Sequence, residues 1–85
     1  MNENLKVYAQ KSAELISKYG GKYIIRGPEV SSLEGSLLAN KSVIVTKFDN
    51  QESISAFFNS EEYQSLKPMR DGTGIYDIGL FNGVD

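Results

Sequence analysis

The spacing of apolar residues predicts a helix near the start of the chain. Over residues 3–19, one mostly apolar stripe recurs every three or four positions, as an amphipathic helix requires: Leu5, Tyr8, Ala9, Ser12, Leu15, Ile16 and Tyr19. Asn2 can cap the helix start, and Gly20 suits the left-handed position that ends many helices. We therefore expect Tyr8 and Tyr19 to belong to the core.

An extended segment is predicted over residues 22–35. Gly27-Pro28 interrupts it, because proline has no amide hydrogen to donate to a strand ladder, so we expect a bulge or bend there. Simple alternation would distribute the preceding side chains over two faces, with Tyr23 and Ile25 on one and Ile24 and Arg26 on the other.

Two further strands are predicted. Residues 42–48 are rich in β-branched and aromatic side chains and give the clearest strand, which follows a turn over residues 35–41. Residues 75–81 alternate between two faces and predict a final strand.

A pair of short helices lies between these strands. Asp49, followed three residues later by Glu52, is typical of a capped helix start. Ser60 begins a second helix, which Pro68 should end or kink. The order helix, strand, strand, helix pair, strand indicates an α+β fold, with an antiparallel sheet covered by helices on one face.

Composition limits the classes of protein to consider. Eighty-five residues make a single domain, residues 1–85, with a small core that association commonly supplements. The net charge of −2 argues against nucleic acid as a partner, and the chain contains neither a membrane-spanning apolar run nor a visible signal peptide. We expect a soluble cytoplasmic protein.

The chain contains no cysteine and no histidine. Disulfides, thiolate chemistry, histidine-based triads and histidine zinc sites are therefore excluded. Phosphate-binding glycine motifs and clusters of metal ligands are also absent from the sequence. We expect neither a metal site nor a cofactor.

Two arginines are the first candidates for a binding site. Arg26 could face the cleft between helices and sheet and bind a carboxylate or phenolate, and Arg70 could converge on the same anion. Each has a structural alternative. Arg70 could cap a helix C-terminus. Arg26 could form an internal ion pair with Glu34, Glu62 or Asp77.

Tyr23 and Tyr63 are the next candidates, because each combines an apolar ring with a hydroxyl that can donate to a ligand. The alternative for both is core packing with a satisfied hydroxyl. Glu61 and Glu62 project about 100° apart on a helix, so they do not form a proton-sharing pair. Helix-start electrostatics explains them, although Glu62 could also orient either arginine.

Several motifs together resemble one known family. They are Lys18-Tyr19-Gly20-Gly21-Lys22-Tyr23, Arg26-Gly27, Glu34-Gly35, Phe48, Ser60-Glu61-Glu62-Tyr63-Gln64, Arg70 and Asn82-Gly83-Val84. As a set, they are similar to the family called domain of unknown function 1330, in the dimeric α+β barrel superfamily. The resemblance implies a ferredoxin-like β-α-β-β-α-β fold and homodimers that pair through their sheets.

The chain departs from that family in two places. Gly27-Pro28 stands where the family has two glycines, and the usual first strand before the first helix has no residues here. In the family's strand order, that strand separates the last strand from residues 42–48. Either the last strand moves inward to pair with residues 42–48, or a partner chain fills the gap, or the natural start lies upstream.

Three functions are compatible with these patterns. The first is a homodimer that binds a small anionic or aromatic ligand through Arg26, Tyr63, Arg70, Tyr23 and Glu62. The second, implied by relatives in the superfamily, is a cofactor-independent monooxygenase-like or lyase-like enzyme on aromatic compounds. There Arg26 and Arg70 would polarise an oxyanion and Tyr63 would donate a hydrogen bond. The third is a structural or regulatory interaction protein.

Overall fold

A computed structural model describes residues 3–84. Its elements, in chain order, are helix α1 (Glu3–Lys18), strand β1 (Lys22–Pro28), strand β2 (Ser42–Lys47), helix α2 (Gln51–Phe58), helix α3 (Glu61–Leu66) and a 3₁₀ helix (Lys67–Arg70). The α+β class is confirmed: three helices accompany a two-stranded antiparallel sheet in this part of the chain.

Helix α1 confirms the prediction from the apolar stripe. Its buried residues are Ser12, Leu15 and Ile16. Gly20 adopts φ +87°, and the next amide, of Gly21, donates to the carbonyl of Ile16 at 2.8 Å. This left-handed turn satisfies a carbonyl that the helix end would otherwise leave free. The predicted cap, Asn2, lies outside the described residues.

Gly21 lets β1 start directly beneath the helix. A Cβ atom at Gly21 would lie 2.7 Å from both Ile16 Cγ2 and Phe48 Cζ, which is closer than real Cβ atoms approach. A glycine is therefore required between Ile16, near the end of α1, and the ring of Phe48, which follows β2.

Strand β1 contains a bulge at Ile24, which the alternation in the sequence did not predict. Tyr23 lies opposite Thr46, but the next pair along the ladder joins Ile25 to Val45. The extra residue reverses the alternation of side chains beyond it. Of the bulge or bend predicted at Gly27-Pro28, the bulge is not formed, because Gly27 lies opposite Val43 and Pro28 opposite Ser42 in regular register.

Strand β1 ends at Pro28, so the predicted continuation to residue 35 is also wrong. Gly27 has φ +147°, and the amide of Glu29 makes a last bond to the carbonyl of Lys41 at 2.8 Å. The Glu29 carboxylate then accepts hydrogen bonds from Ser32 Oγ and from the amide of Asn40, which closes the loop locally. The predicted turn over residues 35–41 is confirmed.

The short helices start at side-chain caps. Asn50 caps α2 by accepting from the amide of Ser53 at 2.8 Å, so the cap lies one residue after the predicted Asp49. Ser60 caps α3 as predicted, accepting from the amide of Tyr63 at 3.1 Å. Pro68 ends α3 as predicted and lies in the first turn of the 3₁₀ helix.

The predicted final strand, residues 75–81, is not present as a strand. Ile75 is 95% exposed and Phe81 is 84% exposed, and the described sheet consists of β1 and β2. Side chains hold this segment instead, since Gln51 Nε2 donates to Asn82 Oδ1 at 3.0 Å. The expectation that the last strand pairs with residues 42–48 was therefore wrong for this structure.

The core lies between the helices and one face of the sheet. Its buried apolar residues are Leu15, Ile16, Phe57 and Tyr63, and half-buried residues pack against them: Tyr8, Tyr19, Tyr23, Phe48, Phe58 and Leu66. Tyr8 and Tyr19 thus belong to the core margin, as predicted. No helix in residues 3–84 is long and apolar enough to cross a membrane.

The close approach at Gly21 predicts a specific destabilisation. Gly21→Ala should lower the free energy of unfolding by about 1–3 kcal/mol, because the new methyl overlaps Ile16 and Phe48. Gly83→Ala is the control, since nothing lies within 4 Å of the corresponding Cβ. Urea unfolding of both variants measures the difference, and equal stability of the two would contradict the packing described.

Candidate functional site

Tyr63 lies at the centre of a cluster of aromatic rings. It is 4% exposed, and its ring centroid lies 4.7 Å from that of Phe57, 5.4 Å from that of Phe58 and 6.2 Å from that of Tyr8. Its hydroxyl oxygen lies 2.7 Å from the hydroxyl oxygen of Tyr8 on α1. This hydrogen bond joins α3 to α1 at the edge of the core.

Arg70 lies at the other side of Tyr8. Its Nη1 donates to the Tyr8 hydroxyl oxygen at 3.4 Å, and its guanidinium carbon lies 5.7 Å from the centroid of the Tyr8 ring. The chain then turns so that the Tyr76 ring lies 4.7 Å from the same carbon. Arg70 is therefore held between two aromatic rings through cation–π contacts, and its side chain reaches α1 rather than capping a helix C-terminus.

The bulge in β1 determines where Arg26 lies. Because Ile24 is the extra residue, Arg26 lies opposite Ile44 and on the same face as Tyr23 and Thr46. The Arg26 guanidinium carbon accordingly lies 4.7 Å from the centroid of the Tyr23 ring. Simple alternation had placed these two side chains on opposite faces, and that interpretation was wrong.

No carboxylate in residues 3–84 forms an ion pair with either arginine. Within residues 3–84, the ion pair closer than 4 Å joins Lys18 Nζ to Glu62 Oε2 at 3.2 Å, with both side chains largely exposed. The alternative ion pairs considered for Arg26 from the sequence are therefore not formed. Two guanidinium charges remain available beside aromatic rings.

The hydroxyls of Tyr23 and Tyr63 retain their protons at neutral pH. Burial raises the pKa of Tyr23 above its ordinary value, although the nearby Arg26 charge opposes part of this increase. Burial, and next the hydrogen bond to Tyr8, raise the pKa of Tyr63 well above its ordinary value. Both groups are therefore hydrogen-bond donors under physiological conditions.

An open groove runs along the side of α1 next to Arg26. It has a volume of about 640 Å³ and is lined by Lys6, Ala9, Gln10, Ala13, Glu14 and Arg26. The two alanines leave room between longer polar side chains. The groove thus places one of the free guanidinium groups beside a space that a small molecule can occupy.

Comparison with known families identifies the chain. A family described as a domain of unknown function (DUF1330) matches residues 1–84. The chain belongs to the DUF1330 family. No curated protein matches it.

In this DUF1330 protein, four of the site residues predicted from the sequence interact around Tyr8, and the fifth, Glu62, does not. Tyr23 and Tyr63 interact electrostatically with each other and with Tyr8, while Arg26 lies beside Tyr23 and Arg70 beside Tyr8. The two arginines therefore do not meet on a single hydroxyl. Glu62 lies apart from both in its interactions, because its carboxylate pairs with Lys18.

Tyr8 was not predicted from the sequence as a site residue. Its position on the apolar stripe predicted burial correctly, but the stripe gives no information about where the hydroxyl points. Thr73 and Tyr76 were also missed; the Thr73 hydroxyl lies 2.5 Å from that of Tyr76 and fixes the ring over Arg70. No group of three potential metal ligands lies together among residues 3–84.

The raised tyrosine pKa values predict a loss of stability in alkali. A tyrosine in the unfolded chain titrates near about pH 10, so above that pH the folded protein binds more protons than the unfolded one. The contribution of Tyr63 to stability should be complete below about pH 10 and decline as the pH rises further. Urea unfolding at several alkaline pH values measures this decline.

Tyr63→Phe should show a smaller alkaline decline than the wild type, because it lacks the titrating hydroxyl. Tyr19→Phe is the matched control, since Tyr19 also packs edge-on against Phe57. A parallel decline of Tyr63→Phe and the wild type would show that the Tyr63 hydroxyl is not the group responsible.

Proposed function

We propose that this DUF1330 protein binds a small anionic aromatic ligand at the cluster formed by Tyr8, Tyr23 and Tyr63 with Arg26 and Arg70. The observation that carries the proposal is that both arginines lie beside tyrosines without a carboxylate partner in the described chain. A positive group held against aromatic rings attracts an anion, and the rings provide an apolar surface for the rest of the ligand.

The surroundings of Arg70 support this function more strongly than a purely structural role. The side chain is half-buried, and the protein supplies it with ring faces and one hydroxyl oxygen. A guanidinium has five N–H donors, so one hydrogen bond leaves most of them available. An oxygen anion from a ligand is the partner that such a group lacks.

The groove beside Arg26 supports the same conclusion. Its volume of about 640 Å³ falls within the range of small-molecule sites. It is lined by Ala9 and Ala13, by the positive side chains of Lys6 and Arg26 and by the carboxylate of Glu14. Two positive groups against one negative group leave a net positive charge beside a small apolar surface, which suits an aromatic anion better than a cation.

Benzoate is a simple probe of this function. Arg70→Gln and Arg26→Gln should each weaken benzoate binding, and Arg70→Gln should do so roughly tenfold or more, because a charge-assisted hydrogen bond is lost. Lys67→Gln is the control: it removes one charge from the same 3₁₀ helix, where Lys67 lies over the Phe58 ring. Titration followed by NMR measures the dissociation constants.

Equal weakening by all three substitutions would indicate only a general effect of charge. Absence of benzoate binding by the wild type, together with no binding of other aromatic carboxylates, would contradict the proposed function. Circular dichroism of each variant establishes that the fold is retained.

We further propose that the protein is a homodimer with the ferredoxin-like, dimeric α+β barrel arrangement that the family resemblance implies. Support comes from the imbalance in apolar burial: among residues 3–84, fourteen large apolar residues are exposed, against four in the buried core. Ile25 and Val45 face each other across the sheet on the side away from Tyr23, and they are 52% and 42% exposed. A second copy packed on this face would cover them.

Light scattering coupled to size exclusion tests this assembly. The wild type should have about twice the 9.4 kDa mass of one chain, and Val45→Lys should lower that mass by placing a charge in the interface. Ser42→Lys is the control, because Ser42 lies on the opposite face of the same strand. A wild-type mass of one chain at high concentration would contradict the proposal.

A further inference from the structure

The hydroxyl of Tyr8 has two neighbours in the structure. Its oxygen lies 2.7 Å from the Tyr63 oxygen and 3.4 Å from Arg70 Nη1. A tyrosine hydroxyl has one hydrogen to donate and lone pairs with which to accept. The two neighbours therefore determine which way the Tyr8 hydrogen can point.

The direction of the hydrogen bond between Arg70 and Tyr8 follows from the chemistry of the guanidinium group. A guanidinium donates and does not accept hydrogen bonds. The Tyr8 oxygen must therefore be the acceptor in its contact with Arg70, and the Tyr8 hydrogen points elsewhere.

The direction of the hydrogen bond between Tyr63 and Tyr8 follows from the burial of Tyr63. Tyr63 is 4% exposed, and Tyr8 is the hydrogen-bond partner of its hydroxyl in the described chain. If Tyr8 donated to Tyr63, the Tyr63 hydrogen would be buried without an acceptor, which is unfavourable. Tyr63 is thus the donor.

With both neighbours donating to its oxygen, Tyr8 has its own hydrogen left over. The residue is half-buried, so it is not enclosed in the core as Tyr63 is. Among residues 3–84, no protein acceptor other than the Tyr63 oxygen lies within hydrogen-bond distance of the Tyr8 hydroxyl. The hydroxyl is consequently arranged to donate to a group that the chain itself does not supply.

We propose that Tyr8 is the ligand-facing hydrogen-bond donor of the site, that it binds a carboxylate together with Arg70, and that Tyr63 is the positioning residue that directs the Tyr8 hydrogen outward. This inference rests on the proposed function and specifies the chemical group that the site selects. It also assigns a binding role to a residue of the core margin.

The hydrogen-bond donors of Tyr8 and Arg70 match a carboxylate in number and charge. The Tyr8 hydroxyl supplies one hydrogen, and Arg70 supplies further N–H groups from the same side. A carboxylate accepts from two donors through its two oxygens and carries one negative charge. The adjacent rings of Tyr8 and Tyr76 suit an apolar or aromatic body attached to that carboxylate.

The test compares benzoate with benzamide, which has nearly the same shape but no charge. Tyr8→Phe should weaken benzoate binding roughly tenfold or more and reduce the preference for benzoate over benzamide, because it removes a donor to a charged oxygen. Tyr19→Phe, directly after the same helix with its ring against Phe57, should leave both affinities unchanged. NMR titrations of the wild type and both variants, each with both ligands, measure the six dissociation constants.

A preference for benzoate that Tyr8→Phe leaves unchanged, while Arg70→Gln removes it, overturns the role of Tyr8 and leaves the proposed function intact. Failure of the wild type to bind benzoate overturns both. A general distortion of the site by Tyr8→Phe would lower both affinities equally and would also count against the assignment.

A second measurement needs no substitution and covers the case in which Tyr8→Phe does not fold. In wild-type protein labelled with ¹³C at the tyrosine Cζ atoms, benzoate should shift the Tyr8 resonance more than that of Tyr19. A Tyr8 resonance that does not respond to saturating benzoate would overturn the proposal.

Discussion

The hydroxyl of Tyr63 imposes the constraint on which the arrangement of this protein depends. Its ring belongs in the core, where it packs 4.7 Å from Phe57, and the residue is only 4% exposed. An unsatisfied hydroxyl in that position would cost about 1–3 kcal/mol, a substantial part of the stability of a small domain. Tyr8 on α1 satisfies it, and Arg70 extends the same hydrogen-bonded chain to the segment after α3. The helices are therefore positioned by a polar contact as well as by apolar packing.

A second constraint acts on the sheet. The single extra residue in β1 turns Arg26 to the face that carries Tyr23, so that its guanidinium carbon lies 4.7 Å from the centroid of the Tyr23 ring. The only ion pair closer than 4 Å among residues 3–84, between Lys18 and Glu62, lies at the surface and leaves both arginines free. The binding function that we propose depends on both arginines lacking an ion-pair partner among the described residues.

Much of the fold could be predicted from the sequence where local chemistry decides it. The apolar stripe and Gly20 predicted α1 and its end, and Ser60 and Pro68 predicted the start and end of α3. Residues 75–81 were predicted wrongly because alternation indicates only a capacity to form a strand. Whether a strand forms depends on a neighbour that supplies backbone hydrogen bonds.

The candidate site was predictable only in part, for a related reason. Arg26, Arg70, Tyr23 and Tyr63 stand out by residue type, but a bulge that no residue in β1 signals decides which of them meet. Tyr8 could not be distinguished from a core tyrosine such as Tyr19 by spacing. Its role follows from the direction of hydrogen bonds in three dimensions, which the sequence pattern does not contain.

The proposed role of Tyr8 depends on the direction of its hydrogen bond with Tyr63, which NMR detection of the Tyr63 hydroxyl proton can reveal. A buried hydroxyl that donates to Tyr8 should give a proton resonance that exchanges slowly with water and shows contacts to the Tyr8 ring. We expect this resonance in the wild type and in Tyr19→Phe, and we expect it to be lost in Tyr8→Phe. A Tyr63 hydroxyl proton that exchanges too fast to be observed, or a protected proton assigned to Tyr8 instead, would contradict the proposed role of Tyr8.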